Sequence, residues 1–60
     1  MTVKQQQLLL SFLDYDTGKI DGISGPKTQA AIRKFQNDYG IRATGVCDAP
    51  TEAKIREVIG

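Results

Sequence analysis

Hydrophobic positions recur at helical spacing in three stretches of the chain, separated by two segments rich in glycine, aspartate and threonine. The first stretch runs from about Val3 to Asp14. Thr2 is a suitable N-cap, because its hydroxyl can accept a bond from a first-turn amide. Val3, Leu9, Leu10 and Leu13 follow at helical intervals, with Leu8 and Phe12 widening the apolar stripe. The second stretch opens on Gly25-Pro26, where the fixed φ and missing N–H of proline cost nothing at the first helical position. Thr28, Ala31, Ile32, Phe35 and Tyr39 share one face, Lys27, Arg33, Lys34 and Asn37 lie largely on the other, and Gly40 stands at the usual left-handed C-terminal position. The third stretch begins near Asp48, a good N-cap, and turns Thr51, Ile55, Val58 and Ile59 inward. No segment alternates strictly enough to require a strand. The pattern predicts an all-α, three-helix bundle, with residues 1–60 forming one domain.

The two helices that follow turns also share a sequence unit. Asp21-Gly22-Ile23 through Thr28, Ala31, Ile32 and Arg33 matches Thr44-Gly45-Val46 through Thr51, Lys54, Ile55 and Arg56, with glycine, an apolar residue, threonine, isoleucine and arginine at equal offsets. A fainter echo relates Gln6-Gln7 to Phe35-Gln36. Each unit reads as a glycine turn followed by a helix. Gly22 and Gly45 are expected at positive φ, where a Cβ is unfavourable. Ile23 and Val46 are expected to plug the core just before each helix, in the manner of a hydrophobic staple.

Composition narrows the function. A chain of 60 residues buries only about 60% of the surface its unfolded form exposes, which leaves little interior for a catalytic pocket. The net charge is +1, too small to draw the chain to nucleic acid or an anionic membrane. Histidine is absent and Cys47 is the single cysteine, so there is no internal disulfide, no Ser-His or Cys-His pair and no common zinc-ligand set. No metal or other cofactor is expected. The start of the chain carries no signal-peptide pattern, which points to synthesis in the cytoplasm.

The run Tyr15-Asp16-Thr17-Gly18-Lys19-Ile20-Asp21-Gly22-Ile23-Ser24-Gly25-Pro26-Lys27-Thr28 resembles the signature of the peptidoglycan-binding domain of endolysins, amidases and cortex-lytic enzymes. Phe35-Gln36, Tyr39-Gly40-Ile41 and Thr44-Gly45-Val46 resemble the second half of that pattern. The resemblance implies a compact three-helix fold, non-covalent binding of cell-wall peptidoglycan, action at the bacterial wall and a covalently linked catalytic domain. The absent signal peptide fits a phage lysin. Some positions depart from the family pattern: Asp14 replaces the glycine that usually precedes the tyrosine, Gln6 a leucine, and Thr44, Asp48 and Ala49 an aspartate, a glycine and a proline, while Glu52 stands where many members have tryptophan.

A shallow groove formed by the loop Tyr15–Gly25 and the start of the second helix is the expected binding site, with Tyr15, Lys19, Asp21, Ser24, Lys27, Thr28, Gln36 and Tyr39 as candidate ligand contacts. Each also has a structural alternative. Asp21 can accept backbone amides in its own turn, with Thr44 making a weaker version of the bond. Gln7 and Gln36 can satisfy loop backbone instead of ligand, and both tyrosines can pack at the edge of the core. The expected protein is a monomeric, non-catalytic wall binder. Its rivals are a helical protein-interaction module, a small nucleic-acid-binding bundle and a minimal wall-cleaving enzyme.

Overall fold

A computed structural model describes residues 1–60. It contains three helices and no strand: α1 (Val3–Phe12), α2 (Pro26–Asp38) and α3 (Ala49–Ile59). Thr2 caps α1 in a reciprocal box, accepting the Gln5 amide at 3.2 Å while the Gln5 side chain accepts the Thr2 amide at 2.9 Å. Gly25 and Asp48 are the N-caps of α2 and α3, and neither makes a side-chain bond to the helix backbone. The Asp48 carboxylate instead accepts the Thr51 hydroxyl at 2.9 Å.

Helix α1 ends earlier than the hydrophobic pattern implies, and its termination has a defined form. The amides of Tyr15 and Asp14 donate back to the carbonyls of Leu10 and Ser11, at 2.9 and 3.0 Å. Asp14 sits between them at φ 70°, the single non-glycine residue with positive φ. This is a Schellman stop with aspartate in the left-handed position. Helix α2 ends the same way: Ile41 donates to Gln36, Gly40 to Asn37, and Gly40 takes φ 69°.

The apolar centre is small. Leu10, Ile32, Phe35 and Ile55 are fully buried, and Met1, Leu9, Leu13, Tyr15, Ile41, Cys47 and Val58 pack around them. The Tyr15 ring meets Phe35 edge-on at 5.6 Å, and Tyr39 lies tilted against Phe35 at 4.6 Å. Leu8 and Phe12 do not join the core; they are exposed. Each lies two residues, about 200° of helical turn, from the buried Leu10. Ile59 is also exposed, though less so, at 39%. Ile23 and Val46 are not core plugs either, being 67% and 62% exposed. The turns that carry them fix their backbones and send their side chains outward.

Candidate functional site

Five polar side chains are as buried as the apolar core: Gln7, Thr17, Thr28, Gln36 and Thr51. Four of them build two copies of one hydrogen-bonded clamp. In the first, Gln7 Oε1 accepts the Gly22 amide at 2.9 Å, and its Nε2 donates to Asp21 Oδ1, the Ile23 carbonyl and Thr28 Oγ1 at 3.3, 2.9 and 3.0 Å. In the second, Gln36 Oε1 accepts the Gly45 amide at 3.0 Å, and its Nε2 donates to Thr44 Oγ1, the Val46 carbonyl and Thr51 Oγ1 at 3.1, 2.9 and 2.9 Å. Each glutamine reaches from one helix to the turn that leads into the next. Both glycines sit at positive φ, 79° for Gly22 and 78° for Gly45, as the repeat requires.

The turn side chains complete each clamp locally. Asp21 Oδ1 accepts the Ile23 amide at 2.9 Å, and Thr44 Oγ1 accepts the Val46 amide at 3.2 Å. The Ile23 amide holds the Asp21 carboxyl below its ordinary pKa, with further help from Gln7. The clamp therefore uses Asp21 as a fixed acceptor.

The first clamp shapes an open cleft of about 260 Å³ at the start of α2, lined by Thr17 to Lys19, Asp21, Ile23 and Gly25 to Thr28. A second cleft, of about 350 Å³, runs between the end of α1 and the outer face of α2, lined by Asp14, Tyr15, Asp16, Lys27, Ala30, Ala31 and Lys34. Lys27 borders both. Its stem crosses Gly18 so closely that a Cβ there would lie 2.9 Å from Lys27 Cδ, and Gly18 itself has φ 71°. The lysine stem thus passes close over the turn, and the ammonium forms no ion pair. The ion pairs lie elsewhere, between Glu52 and both the N-terminus and Arg56, and between Lys54 and Glu57. The Thr17 hydroxyl, in the wall of the smaller cleft, is buried without a partner.

The two units diverge where their helices begin. The first has Gly25 as N-cap and no acidic residue in the opening turn of α2; the second has Asp48 and, in the opening turn of α3, Glu52. A helix N-terminus carries partial positive charge. The start of α2 has Lys27 beside it, with the Asp21 carboxylate across the cleft, whereas two carboxylates, Asp48 and Glu52, stand at the start of α3.

The family model for peptidoglycan binding domains matches residues 2–55. The chain belongs to the peptidoglycan-binding domain family. Among its relatives, the OxPP cycle protein OpcA of Synechocystis is 52% identical over 40 residues, which are 67% of this chain and 8% of that protein. The N-acetylmuramoyl-L-alanine amidase CwlL of Bacillus licheniformis is 40% identical over 40 residues, 67% of this chain and 11% of the amidase. The spore cortex-lytic enzyme of Oceanobacillus iheyensis is 36% identical over 53 residues, 88% of this chain and 19% of the enzyme. The chain thus spans less than a fifth of each of these relatives. No solved structure gives a significant match.

Within this peptidoglycan-binding domain, the residues singled out in the sequence separate into three groups. Tyr15, Lys19, Asp21, Lys27 and Thr28 border the two clefts, although the Thr28 side chain is buried in the first clamp and donates to the Thr17 carbonyl at 3.2 Å. Ser24 is exposed beside them and lines neither cleft. Gln36 and Tyr39 lie apart: Gln36 is fully buried in the second clamp, and Tyr39 covers one side of Phe35. Gln36 presents no exposed atom to a ligand, because its amide is committed to protein partners. Tyr15 has a dual position. Its hydroxyl donates to Asp38 at 2.7 Å, and burial, then that bond, pushes its pKa up to about 12.

Asp14 and Lys34 border the larger cleft without having been singled out as ligand contacts. The signal for Asp14 was its departure from the glycine usual at that place. Lys34 reads as solvated surface from periodicity alone, and only the opposing α1 terminus makes it a wall. No group of three or more His, Cys, Asp or Glu side chains is placed to hold a metal, and no helix is long and apolar enough to cross a membrane.

Proposed function

We propose that this domain binds peptidoglycan through the paired clefts flanking Lys27 and, without catalysing a reaction, holds an attached lytic domain at the cell wall. The observation that carries this reading is the joined site itself. Two open clefts share one lysine whose stem packs along Gly18 and whose ammonium is unpaired, at the start of α2, where no side chain caps the helix. The family match and the two wall-lytic relatives supply the ligand class. A shallow site on a small domain gives modest affinity. Tethering makes that affinity useful by raising the local concentration of the attached domain at its substrate. The place of action is the bacterial wall, and the module acts as a monomer.

The reading is tested by co-sedimentation with purified sacculi while turbidity is followed. The expected result is sedimentation that weakens as ionic strength rises, with no clearing. Failure to sediment at any ionic strength, or clearing of the suspension, overturns it. A protein-docking module without wall affinity is the second reading, favoured by the 52% identity to a relative named for the OxPP cycle. The same experiment separates the two, because a docking module stays in the supernatant.

A further inference from the structure

The larger cleft has an organisation that wall binding alone does not explain. Lys27 and Lys34 stand on its α2 side, two helical turns or about 10 Å apart along the axis. Ala30 and Ala31 lie between them as a low floor, and Asp14 and Asp16 form the opposite wall. None of these four charged side chains forms an ion pair with another. Asp16 Oδ1 accepts the Gly18 amide at 3.0 Å, whereas Asp14 makes no side-chain hydrogen bond within the protein.

Asp14 is also in the wrong place for a purely structural residue. It occupies the left-handed position of a helix stop, and the matching stop of α2 uses Gly40. Glycine takes that conformation without strain, and aspartate is tolerated at a cost. Strained non-glycine residues gather where the side chain has a use. Here the use has a direction, since the residue borders a cleft whose other wall is cationic.

We propose that this cleft binds the stem peptide of peptidoglycan and not its glycan, taking a segment that carries a free amine beside free carboxylates. The carboxylates pair with Lys27 and Lys34, and the amine pairs with Asp14. Two features set the glycan aside. In the intact wall the rings are N-acetylated and each lactyl carboxyl is tied up in the amide to its stem peptide, so the glycan offers no charged partner to either wall. Sugar rings also dock on open aromatic faces, and the one aromatic ring here, Tyr15, is half-buried, packed on Phe35 with its hydroxyl bonded to Asp38. The inference rests on the wall-binding reading and specifies which part of the polymer is recognised.

The test uses the full 60-residue chain in sedimentation titrations. The ligands are intact sacculi, sacculi whose free amines have been acetylated, and glycan strands stripped of stem peptides by an amidase and then amidated at the lactyl carboxylates so exposed. Circular dichroism checks the fold of each variant. Lys34→Glu is expected to weaken binding to intact sacculi roughly fivefold, and Asp14→Asn roughly two- to fivefold, in keeping with partly exposed charge pairs. Arg42→Glu makes an equal change of charge in the exposed α2–α3 loop and should leave binding unchanged. Acetylation should weaken the wild type but not Asp14→Asn, and stripped glycan should bind neither. Undiminished binding to stripped glycan overturns the stem-peptide assignment and leaves wall binding standing. Equal sensitivity of the wild type and Asp14→Asn to acetylation removes Asp14 from the site. A wild type that ignores intact sacculi overturns wall binding itself.

Discussion

Gln7 and Gln36 make the same four hydrogen bonds in two different turns: one from a positive-φ glycine amide, and three to the turn side chain, the carbonyl after the glycine and the threonine of the following helix. Both side chains are fully buried. A buried polar group is stabilising only when its partners are present, and removing one member leaves the others desolvated and unpaired.

Gln7→Ala and Gln36→Ala are therefore each expected to destabilise the domain by about 3 kcal/mol or more, since each orphans several groups worth ~1–3 kcal/mol apiece. Gln5→Ala, in the exposed capping box, should cost only about 0.5–1 kcal/mol. Urea denaturation of the three variants decides the point. A Gln36→Ala midpoint close to that of Gln5→Ala would show that water can replace the clamp.

Asp14→Gly is expected to make the domain more stable and a poorer binder. Relief of the left-handed strain at φ 70° contributes about 1 kcal/mol, or roughly 4–8 °C in melting temperature for a domain of this size. Loss of the carboxylate removes the amine partner proposed for the larger cleft. Melting and sacculus binding measured on one sample give both signs, and a lower melting temperature would mean that the side chain stabilises its own turn.

The glycines of the repeat should respond by conformation and not by crowding. Gly22→Ala and Gly45→Ala each place a Cβ at φ near 80° and should cost about 1 kcal/mol or more. At Gly45 the nearest atoms belong to the flexible end of Arg33, which can move away, so the two costs should be similar despite the closer contact. Gly25→Ala has ordinary φ and open space around the new methyl, so it escapes that strain and in urea denaturation should cost only about 0.5 kcal/mol, the amount by which alanine is a poorer N-cap than glycine.

Alkaline pH should destabilise the domain over two overlapping pH ranges. Burial first, then Glu52 and Asp48, raises the Cys47 pKa from 9.0 to about 11. Burial first, then the Asp38 bond, raises that of Tyr15 from 10.0 to about 12. The unfolded chain releases both protons before the folded one does, so stability is fully present below about pH 9 and is lost as pH rises toward about 12. Cys47→Ala should move the onset up to about pH 10, where Tyr15 begins to act. An unchanged onset would mean that the thiol is wetter than its packing implies.

The helices and the positive-φ glycines were legible in the sequence because they follow from local rules. Proline at N1, glycine at the helix end and three- and four-residue apolar spacing each act over a few residues. The fates of Ile23 and Val46 were not legible. An apolar residue before a helix reads as a staple, but here its amide is held by Asp21 or Thr44 and its carbonyl by a distant glutamine, and these bonds turn the side chain outward. Part of the candidate site was readable for the same local reason: Tyr15 to Thr28 lie in one run of chain and border one pair of clefts. The place of Asp14 and Lys34 in the wall of the larger cleft depends on how α1 ends against α2, which no window on a single helix contains. Gln36 resembled a ligand contact because an isolated amide gives no sign of how many partners the fold will supply.

The two clamps also determine how the chain can come apart. Each is fastened across a helix boundary: Gln7 on α1 secures the entry to α2, and Gln36 on α2 secures the entry to α3. The sequence unit that repeats is therefore not a unit that can stand alone. A fragment beginning at Asp21 keeps the Gln36 clamp but loses Gln7 and Leu10, and a fragment ending at Gly40 keeps Gln7 but loses Ile55 and the partners of Gln36. Either cut opens an interlock at one end and the shared apolar centre at the other, so neither half is a minimal binder. Melting should be all-or-none along the length of the chain. A single protease nick in the α2–α3 loop should release both clefts together, although neither cleft includes a residue of that loop.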